Sequence, residues 1–166
     1  MTTAHSLIVT TPTDREIVIK RTFDAPRALV FRAMTTPELI SQWLHGPNGW
    51  TMTTCTFDLR VGGKFRYEWA QGTGMRMGMT GTIREIDPPA RMVHTEIFDE
   101  DWTGGETTVT TTFVEQRGQT VVTITVLYVS REARDGALRT GMTEGMSATY
   151  QALDAFLASL SDATPR

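Results

Sequence analysis

His94 and Glu96, in the stretch RMVHTEIF, are the two side chains of this sequence best placed to move a proton. If the stretch is a strand, residues two apart share a face and sit about 7 Å apart along it. A histidine beside a carboxylate can work as a base with an orienting partner. The same two groups could instead anchor the polar head of a ligand, or form a structural polar pair at the end of a sheet. The remaining histidines and the single cysteine, His5, His45 and Cys55, show no metal-ligand spacing, so no metal is expected. Neither a nucleophile elbow nor a phosphate-binding glycine loop follows a strand, and no cofactor is implied.

A second group is apolar and soft. Trp43, Phe65, Tyr67, Trp69, Met75, Met77, Met79, Met92, Met142 and Met146 recur on the expected inward faces of their segments. Such a set reads either as a packed core or as the wall of a cavity, since apolar walls with a few polar groups are what small-molecule sites present. Methionine suits irregular apolar shapes. The candidate ligand-binding set is therefore Trp43, Phe65, Tyr67, Trp69, Met77, Met79, Met92, His94, Glu96, Met142 and Met146. Cys55, alternating with Phe57 and Leu59, reads as a small buried apolar residue.

Bulk properties narrow the classes. A chain of 166 residues, 40% hydrophobic and 21% charged, suits one domain with one sizeable core and argues against disorder. The net charge of −3 and the lack of a basic run disfavour nucleic acid as a partner. No apolar stretch reaches the roughly 20 residues of a membrane span, and the N-terminus lacks the pattern of a signal peptide. With one cysteine, a cytoplasmic location is the expectation.

The elements that must hold these residues follow from periodicity. Residues 1–14 are polar and read as a flexible arm, residues 15–161 as a single domain, and 162–166 as a tail. EIVIKRTFD alternates as a strand with Ile17, Ile19, Arg21 and Phe23 on one face. Asp24 and Pro26 then signal a helix start, with Asp24 as the capping carboxylate, and Thr36-Pro37-Glu38 repeats the signal for a second short helix. Strands are expected over WTMTTCTFDLR, with Thr53, Cys55, Phe57 and Leu59 on one face, and over KFRYEWA, MRMGMTGTIREI and RMVHTEIF. A hairpin of TTVTTTFVEQ and QTVVTITVLYV turns at Arg117-Gly118. One long helix from about Arg131 to Leu160 closes the chain, capped by Ser130, with Gly141 and Gly145 inside it. Each interior glycine costs roughly 0.5–1 kcal/mol, which asks for a compensating role. Strands in a run before a long helix imply an α+β fold with an antiparallel sheet.

That order, together with FDAPRALVFRAMTTPELISQW, FDLRVGGKFRYE, GTIREIDPPARMVHTE and GMTEGMSATYQAL, resembles the START-like superfamily. Within it, the chain looks like the family named for the activator of the heat-shock protein 90 ATPase, in its C-terminal-domain form. The resemblance implies a helix-grip fold, in which a curved antiparallel sheet wraps around a long C-terminal helix and leaves a ligand cavity between them. It departs from the family pattern at Trp43-Leu44-His45-Gly46-Pro47, where a Trp-Trp-Gly-Pro run is common, and at Gly145-Met146, where Gly-Trp is common. Methionine in place of a rigid indole at Met146 implies a roomier cavity, with both glycines either allowing close approach or leaving space. The resemblance leaves three functions open: non-enzymatic binding of a small hydrophobic or amphipathic ligand, an enzyme using His94 and Glu96, and a protein-partner module associated with a chaperone. An edge strand or the loop carrying Trp102, a candidate lid, offers a surface for a homodimer.

Overall fold

The computed structural model describes residues 5–45, 49–72, 74–100 and 104–163, with side chains described as far as 160. Trp102 and the Gly46-Pro47 pair lie outside the described residues. Twelve elements follow one another: β1 (Ile8–Thr10), β2 (Glu16–Phe23), α1 (Arg27–Thr35), α2 (Pro37–Ile40), β3 (Trp50–Phe57), β4 (Lys64–Gln71), β5 (Arg76–Asp87), β6 (Arg91–Phe98), β7 (Thr107–Gln116), β8 (Gln119–Leu127), α3 (Arg131–Arg139) and α4 (Met142–Ala163). The strands form one eight-stranded antiparallel sheet in the order β1-β2-β8-β7-β6-β5-β4-β3. From β3 to β8 each strand pairs with its sequence neighbour. The first long strand, β2, returns to pair with the last, Ile19 opposite Ile124. The architecture is the helix-grip fold, α+β with the sheet curved around α4.

Alternation does most of the work in building the sheet. In β4, Phe65, Tyr67 and Trp69 are buried while Lys64, Arg66 and Glu68 face the other side. The inner faces of β2, β7 and β8 supply Ile17, Ile19, Phe23, Val109, Phe113, Val122 and Ile124, and α4 lays Tyr150, Leu153 and Leu157 onto them. A second apolar cluster gathers Ile40, Phe65, Tyr67, Trp69, Met79, Ile83 and Met92 at the other end of the sheet. Fully burying a side chain of this size is worth about 1.5–3 kcal/mol, so both clusters hold the sheet in its curve.

Four expectations are corrected. The closing helix is two helices: Gly141 takes φ of 78°, a left-handed conformation that ends α3 before α4 begins. Gly141 therefore relieves backbone strain at a break and does not serve close packing inside a helix. Asp24 does not cap α1; its carboxylate accepts from Gln119 and contacts His5. The Arg27 N–H at the start of α1 instead donates to the Glu115 carboxylate at 2.7 Å, a cap supplied from the end of β7. Thr53 is exposed because a bulge between Met52 and Thr54 shifts the register by one, so Met52, Cys55 and Phe57 pack on the second cluster. Leu59, expected on the same face, is 42% exposed. In the N-terminal segment, Ile8–Thr10 pair with β2 as an edge strand. Ser130 does cap α3, accepting from the Ala133 N–H at 3.1 Å.

Candidate functional site

Between the two apolar clusters the first turns of α4 stand away from the sheet, and a cavity of about 390 Å³ opens there. β4, β5 and β6 form its floor, β7 and β8 one wall, and α4 its roof. All eleven residues of the sequence-derived set line it: Trp43, Phe65, Tyr67, Trp69, Met77, Met79, Met92, His94, Glu96, Met142 and Met146. Met75, in contrast, is 59% exposed and belongs to a different surface. Gly145 also lines the cavity, and a Cβ added to it would meet no atom within 4 Å.

The walls are held by spending their polar ends elsewhere. The Trp43 indole N–H donates to the Ala33 carbonyl and that of Trp69 to the Leu44 carbonyl, each at 3.0 Å. Both indoles therefore offer the cavity apolar surface without a stranded donor. Phe65 stacks on Phe57 at 4.9 Å and meets Tyr67 at 5.0 Å and His94 edge-on at 5.1 Å. It can lie there because its strand partner in β5 is Gly81, over which the ring extends.

His94 and Glu96 project into this cavity from β6. His94 Nε2 lies 2.8 Å from Glu96 Oε2, and their side chains are 9% and 25% exposed. A carboxylate oxygen only accepts, so this bond places a proton on Nε2. The other ring nitrogen, Nδ1, is buried and has no partner. Leaving a buried polar atom unpaired costs about 1–3 kcal/mol. The backbone around the pair is fixed by the ladder, Glu96 facing Gly81 on one side and Thr107 on the other.

Three tyrosines complete the polar complement. Tyr67, Tyr128 and Tyr150 line the same cavity, and Tyr128 donates its hydroxyl to Met142 Sδ at 3.8 Å. Burial pushes all three phenols upward, with the charge of Glu96 adding to it, Tyr128 reaching about 12. They are hydrogen-bond donors at neutral pH, not phenolates. Tyr128 and Tyr150 were missed in the sequence reading, although Tyr128 continues the alternation of Val122, Ile124 and Val126 within QTVVTITVLYV; Tyr150 sits in an apolar helical stripe. Thr107 and Thr111, alternating with Val109 in β7, also line the cavity. Their strand pairing with β6 was the available signal.

The family model for the Activator of Hsp90 ATPase homolog 1-like protein matches residues 24–158. The chain belongs to this family. A crystal structure of a Rhodobacter sphaeroides protein shares 34% identity, covers 92% of this chain and 98% of its own, and superposes with a TM-score of 0.88. A Mycobacterium smegmatis protein, 27% identical, covers 97% of this chain and 100% of its own with a TM-score of 0.78. The solution structure of an AHSA1-like protein from Aeromonas hydrophila, 22% identical, covers 91% of this chain and 99% of its own at a TM-score of 0.70, a likeness of fold. Comparison with curated proteins gave no match. Among the described residues, no helix is long and apolar enough to cross a membrane.

Proposed function

We propose that this protein binds a small hydrophobic or amphipathic molecule in the cavity between its sheet and α4, without transforming it. The observation that carries this reading is the cavity itself, about 390 Å³ in volume and lined mainly by aromatic rings and six methionines. Space of this size falls in the range of small-molecule sites. Its soft methionine lining can follow ligands of differing outline. Family membership supports the reading, because the helix-grip fold is built around such a cleft.

The test is uptake of N-phenyl-1-naphthylamine, an uncharged probe whose fluorescence rises in apolar surroundings. The protein should bind it saturably, and Met146→Trp, which restores the bulk common in the family, should weaken binding at least tenfold with the fold intact. A probe signal that does not saturate, or one indifferent to Met146→Trp, would count against the cavity as the site.

A second reading rests on the His94–Glu96 bond. With Glu96 2.8 Å from its ring, His94 has the pairing of a base with an orienting carboxylate. Turnover of a cavity-bound substrate that disappears in His94→Phe and Glu96→Gln would favour it.

A further inference from the structure

The charge of the cavity says what kind of amphipathic molecule fits it best, an inference that rests on the cavity-binding reading above. Among the described residues that line it, Glu96 is the one carboxylate, and neither lysine nor arginine accompanies it. The other titratable groups there are the imidazoles of His45 and His94 and the phenols of Tyr67, Tyr128 and Tyr150. Glu96 spends one oxygen, Oε2, on His94 Nε2. Its Oε1 has no hydrogen-bond partner among the described residues, and neither have the hydroxyls of Tyr67 and Tyr150. These three atoms differ from His94 Nδ1, which the protein seals off: they keep surface that a bound molecule can touch. Tyr67 and Tyr150 are otherwise buried between the sheet and α4, so what stays open on them is open to the cavity they line. The tyrosines come from β4, the residue after β8, and α4, and beyond burial the charge of Glu96 raises the phenol of each, so its carboxylate stands among them. Tyr128 gives its proton to Met142 Sδ, which leaves the lone pairs of its oxygen to accept.

An ammonium matches this lining, with N–H donors for the carboxylate and phenol oxygens and a charge opposite to that of Glu96. The Glu96 side chain is already 25% exposed with the cavity empty, so folding has met most of its desolvation cost, and the low dielectric strengthens its attraction for a cation. The rings of Trp43, Phe65, Tyr67 and Trp69 in the wall add to that attraction. A carboxylate or phosphate head meets the opposite, a like charge with nothing to offset it. We propose that the cavity selects amphipathic amines: a primary ammonium donates to Glu96 Oε1 and to the tyrosine oxygens, while its apolar body lies against the methionines. Uncharged molecules of the same shape bind more weakly, and fatty-acid-like anions most weakly.

Three matched probes test the proposal: 4-octylbenzylamine, cationic at neutral pH, 4-octylbenzyl alcohol, its uncharged counterpart, and 4-octylbenzoate, the anion. In calorimetric titrations at neutral pH the amine should bind about tenfold more tightly than the alcohol, the worth of one charge-assisted hydrogen bond, and the benzoate more weakly than either. Glu96→Gln should bring the amine to the affinity of the alcohol or below it, both probes being read on the same variant. A readout on the native protein guards against a Glu96→Gln variant that fails to fold. Raising the pH until the amine loses its proton should bring its affinity to that of the alcohol, because the cavity phenols, pushed up by burial, still hold their protons there. Equal affinities of amine and alcohol at neutral pH, tighter binding of the benzoate, an amine advantage that survives Glu96→Gln, or one that persists once the amine is neutral would overturn the inference while leaving cavity binding intact. Binding of none of the three would overturn cavity binding itself, and the inference with it.

Discussion

Gly81 gives the sharpest test of how the sheet supports the site. It lies in β5 between Phe65 of β4 and Glu96 of β6. A Cβ placed there would fall far inside van der Waals contact with three carbons of the Phe65 ring, the most distant of them, Cε2, at 2.6 Å. Phe65 is 2% exposed and is hemmed in by Phe57, Tyr67 and His94, so the ring has nowhere to retreat without moving them. Overpacking of this kind costs about 1–3 kcal/mol. Replacing a strand glycine by alanine otherwise stabilises by roughly 0.5–1 kcal/mol, so the two effects have opposite signs and the sign alone decides. With the ring hemmed in, the upper end of that cost applies, about 2–2.5 kcal/mol net of the glycine gain; for a chain of this length each kcal/mol moves Tm by about 2–4 °C, and Gly81→Ala should lower Tm by roughly 4–10 °C in a thermal melt followed by circular dichroism. In a Phe65→Leu background the same change should be neutral or stabilising, because the obstructing ring is gone. A Gly81→Ala protein that melts at or above the native temperature would refute the steric argument, and with it the reason a glycine stands beside the His94–Glu96 pair.

Two further outcomes follow from the charges and the thiol. Arg66 donates to Asp99 at 2.5 Å and 2.7 Å and to Glu68 at 2.9 Å, and these hydrogen bonds hold both carboxyls below their usual range. A depressed carboxyl contributes stability that is present above its unfolded pKa and lost as pH falls through the folded one. The Tm gap between native protein and Arg66→Gln should therefore be largest above about pH 5 and close as pH falls towards 2; a gap that widens in acid contradicts the assignment. Cys55 is half-buried, and burial, followed by the charge of Glu38, pushes its thiol up to about 11. With some two pH units less thiolate, iodoacetamide should label it about 100-fold more slowly than a free cysteine at pH 7.5 and at the ordinary rate in urea; ordinary labelling of the folded protein would remove that account.

Much of the sheet was legible because period-two alternation survives translation into structure. Spacing put Phe65, Tyr67 and Trp69 on one face of a strand and His94 and Glu96 together on another, the family resemblance supplied the cavity, and all five line it. Where alternation was interrupted, the reading slipped. The bulge after Met52 moves Thr53 outward, and nothing in WTMTTCTF announces the extra residue. The apolar spacing from Leu138 to Met142 continues across Gly141, so the pattern resembles one helix although the backbone breaks there. A glycine tolerated in a helix and a glycine required at positive φ are the same letter. Tyr128 and Tyr150 illustrate a different limit: an apolar stripe shows that a residue faces inward, not whether it meets packed atoms or space. The edge strand at Ile8–Thr10 is three residues long, too short for periodicity to register.

The claim that a small molecule occupies the space under α4 can be read directly from the methionines. Six of them, Met34, Met77, Met79, Met92, Met142 and Met146, line the cavity, whereas Met52 packs outside it and Met75 is exposed. With the methionine methyls labelled with ¹³C, titration of 4-octylphenol should shift the six cavity resonances together, saturating at one equivalent, while Met52 and Met75 stay in place. Shifts confined to Met75, or a spectrum that does not change as the phenol is added, would contradict the account.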